Sequence, residues 1–311
     1  MSTFQTALPR GTALRGVGFA VLSYASFSTA DAIIKLASAR FSVFQIAFSV
    51  AFFALLPVLA LTLGQGGLRA LVPQRWRLVA LRAVLTATGG LLAWRGFAML
   101  PLAEAYAILF AAPILVTAFS TFLLGEEVGW RRWAAQLVGF AGVLVMIQPD
   151  FATVGLGHLF TAIAAVLGAL ALITLRRIGG RETSASILAA VFMAIMLASA
   201  PMVPATFVMP QWQELSLLAL AGLLMGCAQA GLVLATREAS AVVVAPFQYS
   251  QMIWAVLFGA MLFGDHPAPV LFVGMALVMA SGLYTVWRET LKHRPVTVGG
   301  GRGEVVARAQ R

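Results

Sequence analysis

The sequence predicts an all-α membrane protein in which ten transmembrane helices form two five-helix repeats of inverted topology. Three observations carry that expectation. Hydrophobic residues make up 61% of the 311 residues and charged residues only 10%, against roughly 45–50% and 25% in soluble globular chains. The apolar residues fall into ten runs, each near the length of roughly 20 residues that a bilayer core requires. The basic residues concentrate in alternate loops, which is how membrane helices record their orientation. Of the 29 glycines and 13 prolines, many lie inside the apolar runs, as they do in membrane helices.

In order, the runs cover residues 15–37, 42–64, 78–99, 102–124, 130–148, 156–175, 185–208, 214–236, 239–263 and 269–287. The first follows two arginines and contains Ser28-Thr29-Ala30-Asp31-Ala32, features shared with a secretory signal. Its length and the hydrophobic chain beyond it argue for a retained helix. With the N-terminus placed in the cytoplasm, the inner segments hold Arg10, Arg15, Arg69, Arg75, Arg77, Arg131, Arg132, Arg176, Arg177, Arg181 and Arg237. The outer loops hold Lys35 and Arg40. Both termini are then cytoplasmic and the helix count is even. The net charge of +10 is thereby a topology signal, not a nucleic-acid surface. Residues 1–14 read as a cytoplasmic tail, 15–148 and 156–287 as two halves, and 288–311 as a basic disordered tail. The lone Cys227 has no intrachain disulfide partner, and one Cys with three His gives no metal-ligand spacing.

Spans four and five resemble spans nine and ten at an offset of 139 residues (264 − 125). Phe119, Leu123, Gly125, Ala141 and Leu144 recur as Phe258, Leu262, Gly264, Ala280 and Leu283, while Glu126 becomes Asp265 and Gly142 becomes Ser281. Five spans per half is an odd number, so the second half enters the membrane from the opposite side. Two such halves can exchange conformations and open one midplane site to either side in turn.

The sequence resembles the drug/metabolite transporter superfamily in its ten-helix EamA-type branch. The stretches that carry the resemblance are Leu100-Pro101-Leu102-Ala103-Glu104-Ala105-Tyr106-Ala107-Ile108, Pro113 and Gly125-Glu126 in the first half. Their counterparts are Ala245-Pro246-Phe247-Gln248-Tyr249, Trp254-Ala255 and Gly264-Asp265 in the second. The likeness covers roughly residues 12–288. It implies a central cavity built mainly from spans 1, 3, 4, 6, 8 and 9. Many members of the family carry an arginine in span two. Here that region is Gln45-Ile46-Ala47-Phe48-Ser49-Val50-Ala51, with Gln45 and Ser49 its only polar groups.

Polar groups inside the bilayer are costly and mark either function or a compensating partner. Span one aligns Tyr24, Ser28, Asp31 and Lys35 on one helical face. Tyr24 and Ser28 are candidate substrate contacts and Asp31 a candidate proton-coupling group. Asp31 can instead pair with Lys35 one turn on, and Lys35 can snorkel to the outer surface. In span three, Arg82 lies near the inner end and reads as a snorkelling anchor. Trp94 and Arg95 lie near the outer end as candidate substrate contacts. Arg95 can attract an anionic group, pair with Glu104 across the short outer turn, or snorkel. Thr86, Gly90 and Trp94 share a face that either lines a cavity or packs closely on a neighbour.

Span four opens on Pro101, Glu104 and Tyr106. Glu104 is the second candidate for proton coupling, or simply an acid favoured by the helix N-terminus. Tyr106 is a candidate substrate contact. Pro113 and Pro246 each remove a backbone hydrogen bond and are candidate hinges. Span nine carries Gln248-Tyr249-Ser250-Gln251. Gln248 stands about nine residues, or ~14 Å, from the inner end, near the midplane. An amide there needs a partner, so Gln248 with Tyr249 either binds substrate or bonds another helix. Gln229 in span eight, at similar depth, is a candidate neighbour. Met252 and Trp254 read as packing residues.

Other chemistries are missing from the sequence. There is no phosphate-binding Walker loop, no zinc motif and no lysine deep enough for a Schiff base. A secondary transporter of the inner membrane is expected, working by alternating access without cofactor, metal or nucleic acid. Its partners are the lipid bilayer, a small-molecule solute and protons through Asp31 or Glu104; a monomer suffices. Following the resemblance, an amino acid or a derivative is the first expected substrate, with export favoured. The alternative is uptake of a nucleoside-like or cofactor-like solute of the S-adenosylmethionine or riboflavin class. Tyr24, Trp94, Tyr106 and Tyr249 can stack on such a flat ring. A non-transporting receptor or a membrane enzyme is the reading from another class. An enzyme would need an acid, a base and a nucleophile at one depth, and the spans offer no such set.

Overall fold

Backbone polar groups in hydrocarbon have no water to bond, so a chain this apolar must satisfy them within helices. The computed structural model describes residues 10–64, 66–125, 129–147, 154–179, 182–239 and 241–292, and every regular element among them is helical. Glu126, Arg181 and the chain beyond residue 292 lie outside the described residues. The first half comprises α1 (Arg10–Ala37), α2 (Val43–Leu63), α3 (Trp76–Met99), α4 (Leu102–Leu109), α5 (Ala112–Leu124) and α6 (Trp130–Ile147). The second comprises α7 (Leu156–Ile178), α8 (Ser184–Ser199), α9 (Val203–Thr206), α10 (Trp212–Glu238), α11 (Ala241–Val244), α12 (Ser250–Phe263) and α13 (Pro269–Lys292).

Ten crossings result, as the hydropathy pattern predicts. Seven stretches are long and apolar enough to cross a membrane, with two shorter apolar helices at Trp133–Met146 and Pro269–Thr285. The tenth crossing is the broken run from α11 to α12. Local chemistry sets the helix ends. Ser42 and Thr183 cap α2 and α8 by accepting from Gln45 N and Ser186 N, each bond satisfying an orphan donor of the first turn. Gly125 and Gly264 end α5 and α12 with φ of 68° and 67°, a left-handed conformation that glycine adopts without steric cost.

Helix pairing reproduces the internal repeat. The first-half helices α1, α2, α3 and α6 correspond to α7, α8, α10 and α13. Contacts occur in matched pairs: α3 packs on α7 as α10 packs on α1, and α2 packs on α10 as α8 packs on α3. The remaining two, α2 with α8 and α6 with α13, are their own counterparts. A two-fold relation between the halves produces this pattern. Close approach is built in by small residues. Gly226 and Gly222 of α10 lie where any Cβ would run into the backbone of α2 at Ala54 and Val50.

The crossings that carry Pro113 and Pro246 are both interrupted, and at equivalent positions. The first breaks at Phe110-Ala111, between α4 and α5. The second runs as a 3-10 segment over Ala245–Tyr249 before α12 begins at Ser250. Adding 139 to 110 and 111 gives 249 and 250. The prolines themselves are not equivalent. Pro113 follows its break, within the first turn of α5, while Pro246 lies inside its own, in the first turn of the 3-10 segment.

Candidate functional site

The two broken helices face α1, α3, α8 and α10 across a cavity of about 290 Å³. Its polar wall comes from Asp31 of α1, Thr86 of α3, Gln229 of α10, and Gln248 and Gln251 beside the second break. Its apolar wall is largely aromatic: Phe27, Trp94, Phe97, Tyr106, Phe110 and Phe192. A few convergent polar groups in an apolar, concave setting are what a small-molecule site requires.

Among the described residues Asp31 is the only carboxylate on that cavity, and 8% of its surface is exposed. The Tyr106 hydroxyl donates to its Oδ2 at 2.5 Å, and the Trp94 indole lies against the same carboxylate. A buried carboxylate is tolerated when strong donors replace its water. The expected pairing of Asp31 with Lys35 does not form. Lys35 Nζ instead donates to Leu100 O at 2.5 Å and sits 4.8 Å above the Phe263 ring. The lysine stem runs along α1 to the end of α3, so its charge leaves the cavity and Asp31 turns to α4.

Tyr106 also belongs to a ladder of four rings. Phe97 stacks on Tyr106 with centroids 5.6 Å apart, Tyr106 on Phe110 at 6.4 Å, and Phe110 on Tyr249 at 5.4 Å. The ladder runs from α3 across the first break to the second. Offset stacking of this kind contributes roughly 0.5–1.5 kcal/mol per pair beyond burial. It also fixes ring planes, presenting flat faces to whatever occupies the cavity.

Of the residues singled out in the sequence, Asp31, Thr86, Gly90, Trp94, Tyr106, Gln229, Gln248 and Gln251 therefore meet on one cavity. The remaining candidate substrate contacts and Glu104 lie elsewhere. Tyr24 shares the helical face of Asp31 but packs with Ala20, Ala235, Ala239 and Val244 in a separate cluster. Ser28 is 1% exposed and beside the Tyr106 hydroxyl, behind the cavity wall. Arg95 is exposed, because adjacent residues on a helix point about 100° apart and Trp94 takes the inward direction. Tyr249 closes the ring ladder from outside the cavity, and Gly282 of α13 lies against its ring, where a Cβ would collide. Glu104 Oε1 accepts from His158 Nε2 at 2.7 Å, the ring's Nδ1 accepting from Gly155 N, so a contact to the start of α7 stands in place of the pair with Arg95. Glu104 lines a second cavity of about 260 Å³ with Asp265 and His266, at the end of the bundle remote from the arginine clusters.

That remote end ties the two halves together. Arg40 Nη1 meets Glu214 Oε1 at 2.7 Å, Ser42 and Thr206 share a hydrogen bond at 2.8 Å, and Gln45 bonds Val208 twice. Gln45 Nε2 donates to Val208 O at 2.6 Å and its Oε1 accepts from Val208 N at 2.9 Å. The polar residue of span two is thus a clamp on backbone of the other half. Arg82 overturns its expectation as well. Its Nε and Nη1 are buried and have no hydrogen-bond partner among the described residues. A snorkelling arginine keeps those atoms in water.

Sequence reasoning misses the phenylalanines of the cavity. In a helix apolar on every side, a ring facing solute and a ring facing lipid have the same pattern. Gln251 was legible, since it stands one turn from Gln248 in a polar quartet.

The model of the EamA-like transporter family matches residues 14–148. The chain is 33% identical over 287 residues to a protein named riboflavin transporter from Rhizobium johnstonii, covering 90% of this chain and 91% of that one. It is 25% identical over 279 residues to an S-adenosylmethionine uptake transporter of Rickettsia conorii, covering 89% and 94%. A riboflavin transporter of Vibrio cholerae is 26% identical over 288 residues, covering 90% and 96%. A solved crystal structure superposes with a TM-score of 0.67 at 19% identity, covering 91% of this chain and 99% of that one. At that identity the superposition speaks for the fold.

Proposed function

The chain belongs to the EamA-like transporter family of the drug/metabolite transporter superfamily, and from that premise we propose that it takes up a flat-ring, cofactor-like solute, with a flavin as first candidate. The observation that carries this reading is the aromatic cavity with three amides on its wall. Fixed ring faces favour a planar heterocycle. Amides offer both donor and acceptor atoms to its edge. The relatives named for riboflavin and S-adenosylmethionine support the same class. An amino-acid substrate, the first expectation of the sequence, gains no support from them, and neither does export.

In this reading the protein sits in the inner membrane with its arginine-rich end and both termini in the cytoplasm. Asp31 is the proton-coupling group, because it alone among the described residues places a carboxylate on the cavity. Glu104 serves closure at the remote end through His158. The breaks beside Pro113 and Pro246 are the hinges. The test is uptake of radiolabelled riboflavin and S-adenosylmethionine into proteoliposomes, with and without a pH gradient. Saturable uptake of either supports the class. Uptake of amino acids in their place would refute it.

A further inference from the structure

A cavity of about 190 Å³ opens beside the central one, toward the arginine-rich end. Helices α3, α8 and α10 contribute to both, with Leu175 of α7 added to the smaller. Each simply continues by a turn: Thr86 to Arg82 on α3, Val191 to Leu188 on α8, and Gln229 to Val233 on α10. Gln229 lines both spaces, so they adjoin. Ser184 and Thr236 add hydroxyls to the smaller cavity, and among the described residues Arg82 is its only charge.

That charge has no counterion among the described residues. Among them Arg82 Nε and Nη1 are buried without a hydrogen-bond partner, and so is Oγ1 of Thr86 one turn along the same face. Glu182, at the start of α8, accepts instead from Arg75 N at 2.5 Å and from Ser186 Oγ at 3.3 Å. A buried guanidinium with free donors is costly to keep. Its planar fork matches the oxygens of a phosphate or carboxylate.

We propose that Arg82, with Thr86 and Gln229, forms an anion subsite at the arginine-rich end of the cavity, which takes a phosphate or carboxylate carried by the solute. The solute is then a planar ring bearing an acidic tail. The ring lies against the aromatic ladder and the tail reaches toward Arg82. This deepens the flat-ring reading and rests on it for the ring, but not for the anion.

The test separates the two. Full-length protein in detergent is heated in phosphate and in chloride at equal ionic strength, as wild type, Arg82→Lys and Arg82→Met. Phosphate should raise the melting temperature of the wild type, less so for Arg82→Lys, and leave Arg82→Met unmoved. An equal shift in all three, or none in the wild type, would overturn the subsite. Arg82→Met should fold, because it removes an unpaired buried charge. The second arm measures binding of riboflavin and of riboflavin 5′-phosphate. The ester should bind the wild type roughly tenfold tighter, with the difference lost in Arg82→Met. If neither flavin binds while the phosphate shift persists, the flavin reading fails and the anion subsite stands. A third arm uses nanodiscs of phosphatidylcholine with or without phosphatidylglycerol. Arg82-dependent stabilisation by phosphatidylglycerol that abolishes the phosphate effect would make the occupant a lipid headgroup and overturn the assignment to solute.

Discussion

Phe110 and Tyr249 stand 139 positions apart (249 − 110), and their rings stack with centroids 5.4 Å apart and planes 26° apart. Equivalent residues of the two halves thus meet where both helices break. Each ring rests on its counterpart, so the breaks should act as a pair. Phe110→Ala and Tyr249→Ala should each slow transport, and the double variant should lose less stability than the sum of the two. A coupling of about 0.5–1.5 kcal/mol is expected in a double-mutant cycle read by thermal unfolding. Gly282→Ala should reproduce the Tyr249→Ala defect, since its methyl would occupy the space of the Tyr249 ring. Strict additivity would show that the breaks work independently.

Asp31 is held by Tyr106 within the cavity. If it is the coupling group, Asp31→Asn should flatten the dependence of uptake on external pH while leaving solute binding measurable. Tyr106→Phe removes the donor but keeps the ring, so it should alter the pH profile and spare the ring ladder. Initial uptake rates over mildly acidic to mildly basic pH, alongside equilibrium binding, make the comparison. An unchanged profile in Asp31→Asn would remove Asp31 from coupling.

Gln248 lines the cavity, whereas Tyr24 packs in a cluster with α10. Gln248→Ala should weaken solute binding by roughly tenfold, the loss of about one well-made hydrogen bond. Tyr24→Phe should leave affinity as it is. Binding titrations at matched membrane expression decide this. The reverse ranking would mean that the solute sits against Tyr24 and not in the cavity that Gln248 lines.

The Ser42–Thr206 contact joins the halves at the end remote from the arginine clusters. In a chain with Cys227 replaced by serine, Ser42→Cys with Thr206→Cys should form a disulfide under oxidation. Transport should then stop, and return on reduction. Each single variant should transport normally. Full transport by the cross-linked protein would mean that this end does not open during the cycle.

Gly125 and Gly264 occupy the same left-handed conformation at the ends of α5 and α12. Gly125→Ala and Gly264→Ala should each lower stability by about 1–2 kcal/mol, the cost of a Cβ in that region. Thermal unfolding in detergent measures both. No loss at either would argue against the conformation.

Much of this architecture is written in the sequence, because bilayer physics makes spans, loops and charge bias conspicuous. The offset of 139 could be read from Gly125 and Gly264, whose turn chemistry leaves little choice of residue. The breaks were less legible. Pro113 and Pro246 are not equivalent residues: Pro246 lies within its break and Pro113 follows its own, so the prolines do not mark the two breaks in a common register. The cavity was half legible. Asp31, Gln229 and Gln248 stand out against apolar neighbours, while Phe97 and Phe110 do not. Arg82 was misread because depth along a helix does not reveal whether a side chain reaches water or a pocket.

The 3-10 segment at Ala245–Tyr249 spans five residues, and its counterpart at 106–110 is mostly ordinary α-helix. A 3-10 turn rises about 2.0 Å per residue against 1.5 Å for an α-helix, so five residues differ in length by roughly 2.5 Å. If the halves swap roles during transport, one segment must wind down by that amount as the other winds up. The motion is then a screw, with translation and rotation locked together. The distance available to a gate is written into the count of residues that change their winding.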